Sequence, residues 1–253
     1  MQVNVFFDLQ IRFRRGKMTD REIVISDALH RVRERIAEAV QRRGDGGDVS
    51  LLAATKTVCT EDIIFAADEL GLRLAGENRA QEFRDKYDVL RGHLDEYHFI
   101  GHLQSNKLKY VVGKADLIHS VSSLRLAEEI NAMAEKQGIK QAVLLEINCA
   151  AEESKSGFLP QDAPFIIDEF ERFSGLDLRG IMTMGPSGVE KCVLRKYFRG
   201  IYQIFIDNFA KKTHNIRETV LSMGMSDSFD LAIEEGATMV RVGSAIFGAR
   251  TYL

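Results

Sequence analysis

Tryptophan is missing from the 253 residues, and proline and cysteine occur three times each. So few prolines leave no Pro-rich linker to cut the chain, and a length of this order fits one α/β domain. Cys59, Cys149 and Cys192 are odd in number and far apart, which fits reduced thiols better than a disulfide framework or a zinc site, so no metal is expected. A long uncharged apolar stretch is lacking, as is a secretory signal; a cytoplasmic protein with no membrane partner is the expectation. An excess of basic charge is lacking too. Lys plus Arg number 34 against 37 Asp plus Glu, so no global field favours nucleic acid and any anion site must be local.

What is present is a sustained alternation of strand and helix patterns. Strands are expected at Val49 to Thr55, Leu72 to Ala75, His98 to Leu103, Leu117 to Val121, Ala142 to Asn148, Leu178 to Met184, Thr219 to Met223 and Thr238 to Val242. Helices are expected at Glu61 to Leu70, Arg79 to Leu90, Asn106 to Val112, Leu124 to Gln137, Asp162 to Phe173, Lys191 to Lys212 and Phe229 to Glu235, with Ser244 to Ala249 a truncated last one. Continuous apolar strands between helices point to a parallel sheet buried on both faces. Eight such units close as a (β/α)8 TIM barrel.

The first seventeen residues stand apart. Arg12-Phe13-Arg14-Arg15-Gly16-Lys17 is basic, whereas Met18-Thr19-Asp20 reads as a start leading into a helix cap. Residues 1 to 17 are therefore expected to be a disordered extension or tag, and 18 to 253 the barrel. Ile25, Leu29, Val32, Ile36 and Val40 then recur at helical spacing up to Gly44, before any strand.

Function in a barrel belongs at the C-terminal strand ends, and the polar residues gather there. Leu51-Leu52-Ala53-Ala54-Thr55-Lys56 delivers a lysine to the tip of the first strand, where an ammonium must be solvated, paired or converted. After strands seven and eight, Ser226 is expected to open a helix, and Gly243-Ser244 supplies a backbone that an anion can approach closely plus a hydroxyl. Taken singly, Ser226 reads equally as an N-cap, Gly243 as a tight turn and Asn78 as a cap of the next helix. Together with Lys56 they suit an aldehyde-bearing phosphate cofactor, with an amine for the imine and a cup for the anchor; a sugar phosphate bound as a Schiff base would use similar parts. Arg241 favours pyridoxal phosphate, whose ring nitrogen needs an Asp or Arg partner.

Several segments carry a resemblance. Ala54-Thr55-Lys56-Thr57, Gly76-Glu77-Asn78, His98-Phe99-Ile100-Gly101-His102-Leu103-Gln104-Ser105-Asn106-Lys107, Ser154-Lys155-Ser156-Gly157, Leu221-Ser222-Met223-Gly224-Met225-Ser226-Asp227 and Met239-Val240-Arg241-Val242-Gly243-Ser244-Ala245-Ile246-Phe247-Gly248 occur in order. From about residue 20 onward the chain resembles the pyridoxal phosphate homeostasis protein family. The resemblance implies a barrel similar to the N-terminal domain of alanine racemase, with pyridoxal 5'-phosphate as a Schiff base on Lys56. It further implies phosphate near Ser226, Gly243 and Ser244, Arg241 at the ring nitrogen, and Asn78 and Met223 among the cofactor-binding residues. Ser244 stands where many members carry threonine, which keeps the hydroxyl.

An arginine at the ring nitrogen keeps that nitrogen unprotonated and makes the ring a poorer electron sink than a carboxylate partner would. The chain ends about one turn past the last barrel element, so the β domain that supplies a tyrosine in alanine racemase-like enzymes is not expected. The resemblance thus implies buffering or delivery of pyridoxal phosphate, without catalytic turnover, to PLP-dependent apoenzymes, by a monomer or weak dimer. The alternative is a low-activity amino-acid racemase or lyase, with His102 or Lys155 as the second acid–base group.

Overall fold

The structure is a computed structural model and describes residues 18–152, 155–210 and 219–248. The expected arm, residues 1 to 17, and Ser154 lie outside the described residues. Eight parallel strands close into a barrel in chain order, with β8 paired to β1. They are β1 (Ser50–Ala54), β2 (Leu74–Glu77), β3 (Glu96–Phe99), β4 (Ile118–Val121), β5 (Gln141–Ile147), β6 (Leu176–Thr183), β7 (Val220–Ser222) and β8 (Met239–Val242). The helices are α1 (Asp20–Arg43), α2 (Thr60–Asp68), α3 (Ala80–Leu90), α4 (Leu124–Gln137), α5 (Ala163–Glu169), α6 (Lys191–Phe205), α7 (Phe229–Glu234) and α8 (Ser244–Phe247).

The capping of α1 follows from its sequence. Thr19 accepts from the Glu22 N–H, the Glu22 carboxylate accepts from the Thr19 N–H, and Gly44 closes the other end in the left-handed region. Ile25, Leu29, Val32 and Ile36 are buried, each contributing roughly 1.5–3 kcal/mol of transfer free energy. The helix packs on α7 and α8, where Arg35 meets Asp230 at 2.8 Å and Arg42 meets Glu234 at 2.6 Å. Since α8 has only four residues, α1 supplies the outer cover that this last unit lacks.

Alternation along the strands separates two cores. Leu52, Ile100 and Met239 pack together inside the barrel, as do Leu117, Ala142, Leu144 and Met182. Their neighbours Ala53, Val143, Ile181 and Val240 face the helices. Gly180 lies at φ 145°, and a Cβ there would fall 2.0 Å from the Val220 carbonyl oxygen, so β6 and β7 meet only because the residue is glycine.

Several expected elements need correction. The helix expected at Asn106 to Val112 is a 3₁₀ turn over Ser105–Tyr110, and β6 begins two residues early, at Leu176. β2 runs two residues beyond the apolar stretch because Glu77, fully buried, is neutralised from α3 and can remain in the strand. β3 begins two residues early, at Glu96, and ends at Phe99, four residues short of Leu103; the half-exposed Glu96 carboxylate accepts a hydrogen bond from His98. The helix expected from Asp162 is broken into a 3₁₀ turn, α5 and a second 3₁₀ turn. The one expected to run to Lys212 loosens at Ile206–Ala210 into a π turn, where the Asn208 amide donates to the Ile204 carbonyl and competes with the backbone ladder.

Candidate functional site

The turn after β1 presents Lys56, half-buried, between a buried Thr55 and an exposed Thr57. Thr57 has φ 64°, a left-handed conformation costly for a β-branched residue and kept only where the surroundings enforce it. Side chains of α3 do so. Lys86 Nζ donates to the Thr55 carbonyl at 3.0 Å and to Glu77 Oε1 at 2.7 Å, while Thr55 Oγ1 donates to the same carboxylate oxygen at 2.8 Å. On the other flank the Thr57 N–H donates to Glu82 Oε2 at 2.9 Å. Both neighbours of Lys56 are thus tied to one helix. Burial raises the Glu77 carboxyl above its ordinary range in spite of Lys86 and Thr55, so this clamp is built on an expensive charge.

The loops after β7 and β8 are joined through Ser226. Ser226 does not open a helix: α7 begins at Phe229, three residues later. Instead the Ser226 hydroxyl accepts from the N–H groups of Gly243 and Ala245, both at 3.3 Å. Two backbone donors therefore converge on one oxygen at the start of α8. A Cβ on Gly243 would stand 2.8 Å from the Ala54 carbonyl oxygen, so only glycine lets β1 and this loop approach. Ser244 is exposed and begins α8.

Arg241, 5% exposed, points into the barrel from β8. Nη1 donates to the Ser222 carbonyl at 2.8 Å and to Ser222 Oγ at 2.5 Å, and Nη2 donates to the Thr183 carbonyl at 2.9 Å. Its partners are neutral, and two of its five donors have no partner among the described residues. Burial lowers its pKa to about 10, opposed by Glu146, so it stays charged at neutral pH.

Asn78 is half-buried, and its Oδ1 is enclosed without a hydrogen-bond partner among the described residues. Met223 is fully buried in the layer between strands and helices, so any contact with a mouth ligand comes through its backbone. His102 is exposed after β3, and the Lys155 ammonium pairs with Glu152 at 2.6 Å.

Sequence reasoning assigned no role to four buried polar residues of the interior: His98, His119, Glu146 and Ser222. The signal for Glu146 was a lone carboxylate inside Leu144-Leu145-Glu146-Ile147. Burial pushes it up to about 6, against the pull of Arg241. The folded state therefore keeps a proton that the unfolded chain loses near 4.5, and the stability cost grows as pH rises through that window and is complete above about 6. Glu146→Gln should raise the melting temperature at pH 8 and leave it unchanged near pH 4. The difference between 4.5 and about 6 is worth at most about 2 kcal/mol. Equal effects at both pH values in thermal melts would show that Glu146 is not held this way.

The site thus offers an amine, a pair of converging N–H donors beside a hydroxyl, and a buried cation with spare donors. The family model for the alanine racemase N-terminal domain matches residues 28–251. A pyridoxal phosphate homeostasis protein from Aquifex aeolicus (strain VF5) is 41% identical over 227 residues, covering 89% of this chain and 98% of that one. Among solved structures, an unknown protein from Bifidobacterium adolescentis aligns with a TM-score of 0.84 at 40% identity, covering 91% of this chain and 97% of its own. PipY of Synechococcus elongatus PCC7942, with PLP bound, aligns with a TM-score of 0.73 at 29% identity, covering 88% and 100%. The chain belongs to the pyridoxal phosphate homeostasis protein family, built on the barrel of the alanine racemase N-terminal domain.

Proposed function

We propose that this protein binds pyridoxal 5'-phosphate at the C-terminal mouth of its barrel and serves in its homeostasis, by buffering the cofactor or delivering it to PLP-dependent apoenzymes. The observation that carries this reading is Arg241, a buried cation held by neutral acceptors with donors to spare. A pyridine nitrogen, an acceptor with a lone pair, suits such a group. The rest of the donor set fits as well. Lys56 supplies an amine for the aldehyde, and the N–H groups of Gly243 and Ala245, which meet on the Ser226 hydroxyl, are a donor pair suited to a phosphate oxygen. Ser244 can add its hydroxyl, and the enclosed Asn78 Oδ1 still needs a donor. Bound there, the cofactor brings a reactive aldehyde and an electron-accepting ring.

What the chain's own residues do favours holding over turnover. Arg241, still charged at neutral pH, keeps a proton off the ring nitrogen and so weakens the ring as an electron sink. The racemase or lyase alternative requires His102 or Lys155 as a second proton-transfer group; the exposure of one and the ion pair of the other give it no support. Association with apoenzymes, a monomeric or weakly dimeric state and a cytoplasmic location belong to the same proposal. Among the described residues no helix is long and apolar enough to cross a membrane.

Titration with pyridoxal phosphate followed by visible absorbance should saturate at one cofactor per chain. In the loaded protein, exchange of amino-acid α-protons into deuterated water should stay well below about 1 s⁻¹, the low end of ordinary turnover numbers. Failure to bind would remove the cofactor reading, and sustained exchange at or above that rate would replace homeostasis with catalysis.

A further inference from the structure

A line of polar side chains crosses the barrel interior from the start of β3 to Arg241. Glu96, half-exposed at the start of β3, has Oε2 2.6 Å from His98 Nε2. His98 Nδ1 is 3.0 Å from His119 Nε2, and His119 Nδ1 is 3.1 Å from Ser222 Oγ, the oxygen that accepts from Arg241 Nη1. Both imidazoles and Ser222 are fully buried. The chemistry at the two ends fixes the direction of every link. Arginine can only donate and an ionised carboxylate can only accept. With one proton on each ring, His98 donates through Nε2 to Glu96 and accepts at Nδ1, so His119 must donate through Nε2 and accept at Nδ1. Ser222 then donates to His119 while accepting from Arg241. All four bonds are satisfied and all point one way, from Arg241 to Glu96. Links of this kind polarise one another, and losing one weakens the rest.

We propose that these side chains form a one-way hydrogen-bond relay in which His98 and His119 are positioning residues that hold Arg241 against Ser222 and set how it presents its spare donors to the cofactor ring. The inference rests on the cofactor reading above. An added proton on His119 Nδ1 would reverse its link to Ser222: it would donate into Ser222 Oγ and compete there with Arg241 Nη1. Several groups bear on that proton. Glu96 and His98 come from β3, His119 from β4, Glu146 from β5, Arg179 with its partner Asp177 from β6, and Arg241 from β8; β7 contributes the non-titrating Ser222. Burial, reinforced by His98 and Arg241, pushes His119 well below the ordinary histidine range, which favours the one-way state at neutral pH.

The test has two arms. Nitrogen-15 NMR of histidine-labelled protein without cofactor, with the two rings assigned by His98→Gln and His119→Gln, should show the proton of each ring on Nε2 at pH 7. A proton on Nδ1 of either ring would overturn the relay. In the second arm the loaded protein is titrated with acid and base while the visible band is followed. Glu96→Gln, at a half-exposed position where folding is safe, and His119→Gln should shift the midpoint of the band relative to the wild type. They should also weaken cofactor binding about fivefold, the change expected for one hydrogen bond of ordinary net strength. A wild-type band with unchanged midpoint and affinity in both variants would overturn the positioning role. Absence of any band in the wild type would instead overturn the cofactor reading, while the NMR arm still decides the direction of the relay.

Discussion

Lys86→Met is expected to destabilise the protein severely, by about 3–5 kcal/mol, because it leaves a buried carboxylate without its partner. Glu77 is fully buried and Lys86 nearly so, and the ammonium also holds the Thr55 carbonyl. At roughly 2–4 °C per kcal/mol for a domain of this size, the melting temperature should fall by about 6–20 °C. The loss should depend on pH in a definite direction. Burial already raises the Glu77 carboxyl, and without Lys86 it rises further, so the folded variant keeps a proton that the unfolded chain gives up. The deficit is then smallest in acid and grows as pH rises past the ordinary carboxylate range. Adding Glu77→Gln should recover much of the loss at neutral pH. Lys86→Met alone should also weaken cofactor retention, since the strained turn around Lys56 is tied to α3 through these groups. A melting temperature within 2 °C of wild type, or full loss at every pH, would contradict the clamp.

Arg241→Ala should be the most damaging change for the cofactor that leaves Lys56 in place. It removes a charge-assisted hydrogen bond of about 1.5–3 kcal/mol, or roughly ten- to a hundredfold in affinity. It also strands Ser222 and the Thr183 carbonyl in the interior and leaves Glu146 without its nearby cation. Arg241→Lys should recover little, because a point charge cannot serve two acceptors on neighbouring strands and still face the mouth. Absorbance titration of variants shown to be folded by circular dichroism reads the effect. Undiminished affinity in Arg241→Ala would mean that the guanidinium serves only the barrel interior.

The barrel could be read from the sequence because each strand is a short apolar run that ends on a polar residue or glycine, a local pattern that needs no knowledge of the neighbours. Lys56, Arg241 and Gly243 stood out for the same reason. The clamp did not, because Glu77 and Lys86 are separated by the turn into α3 and reveal their pairing only once that helix lies on the strand. His98 and His119 are 21 residues apart and meet inside a closed barrel, which pattern along the chain cannot show. Ser226 misled because a serine shortly before a helix reads as its cap; α7 begins only three residues later, and Ser226 turns toward the β8 loop instead.

The central claim is that Lys56 carries the cofactor, and borohydride reduction of the protein loaded with pyridoxal phosphate, followed by peptide mass mapping, tests it most directly. One reduced adduct per chain is expected, on Lys56, and none in Lys56→Ala. An adduct mainly on Lys155, Lys107 or another lysine would contradict it.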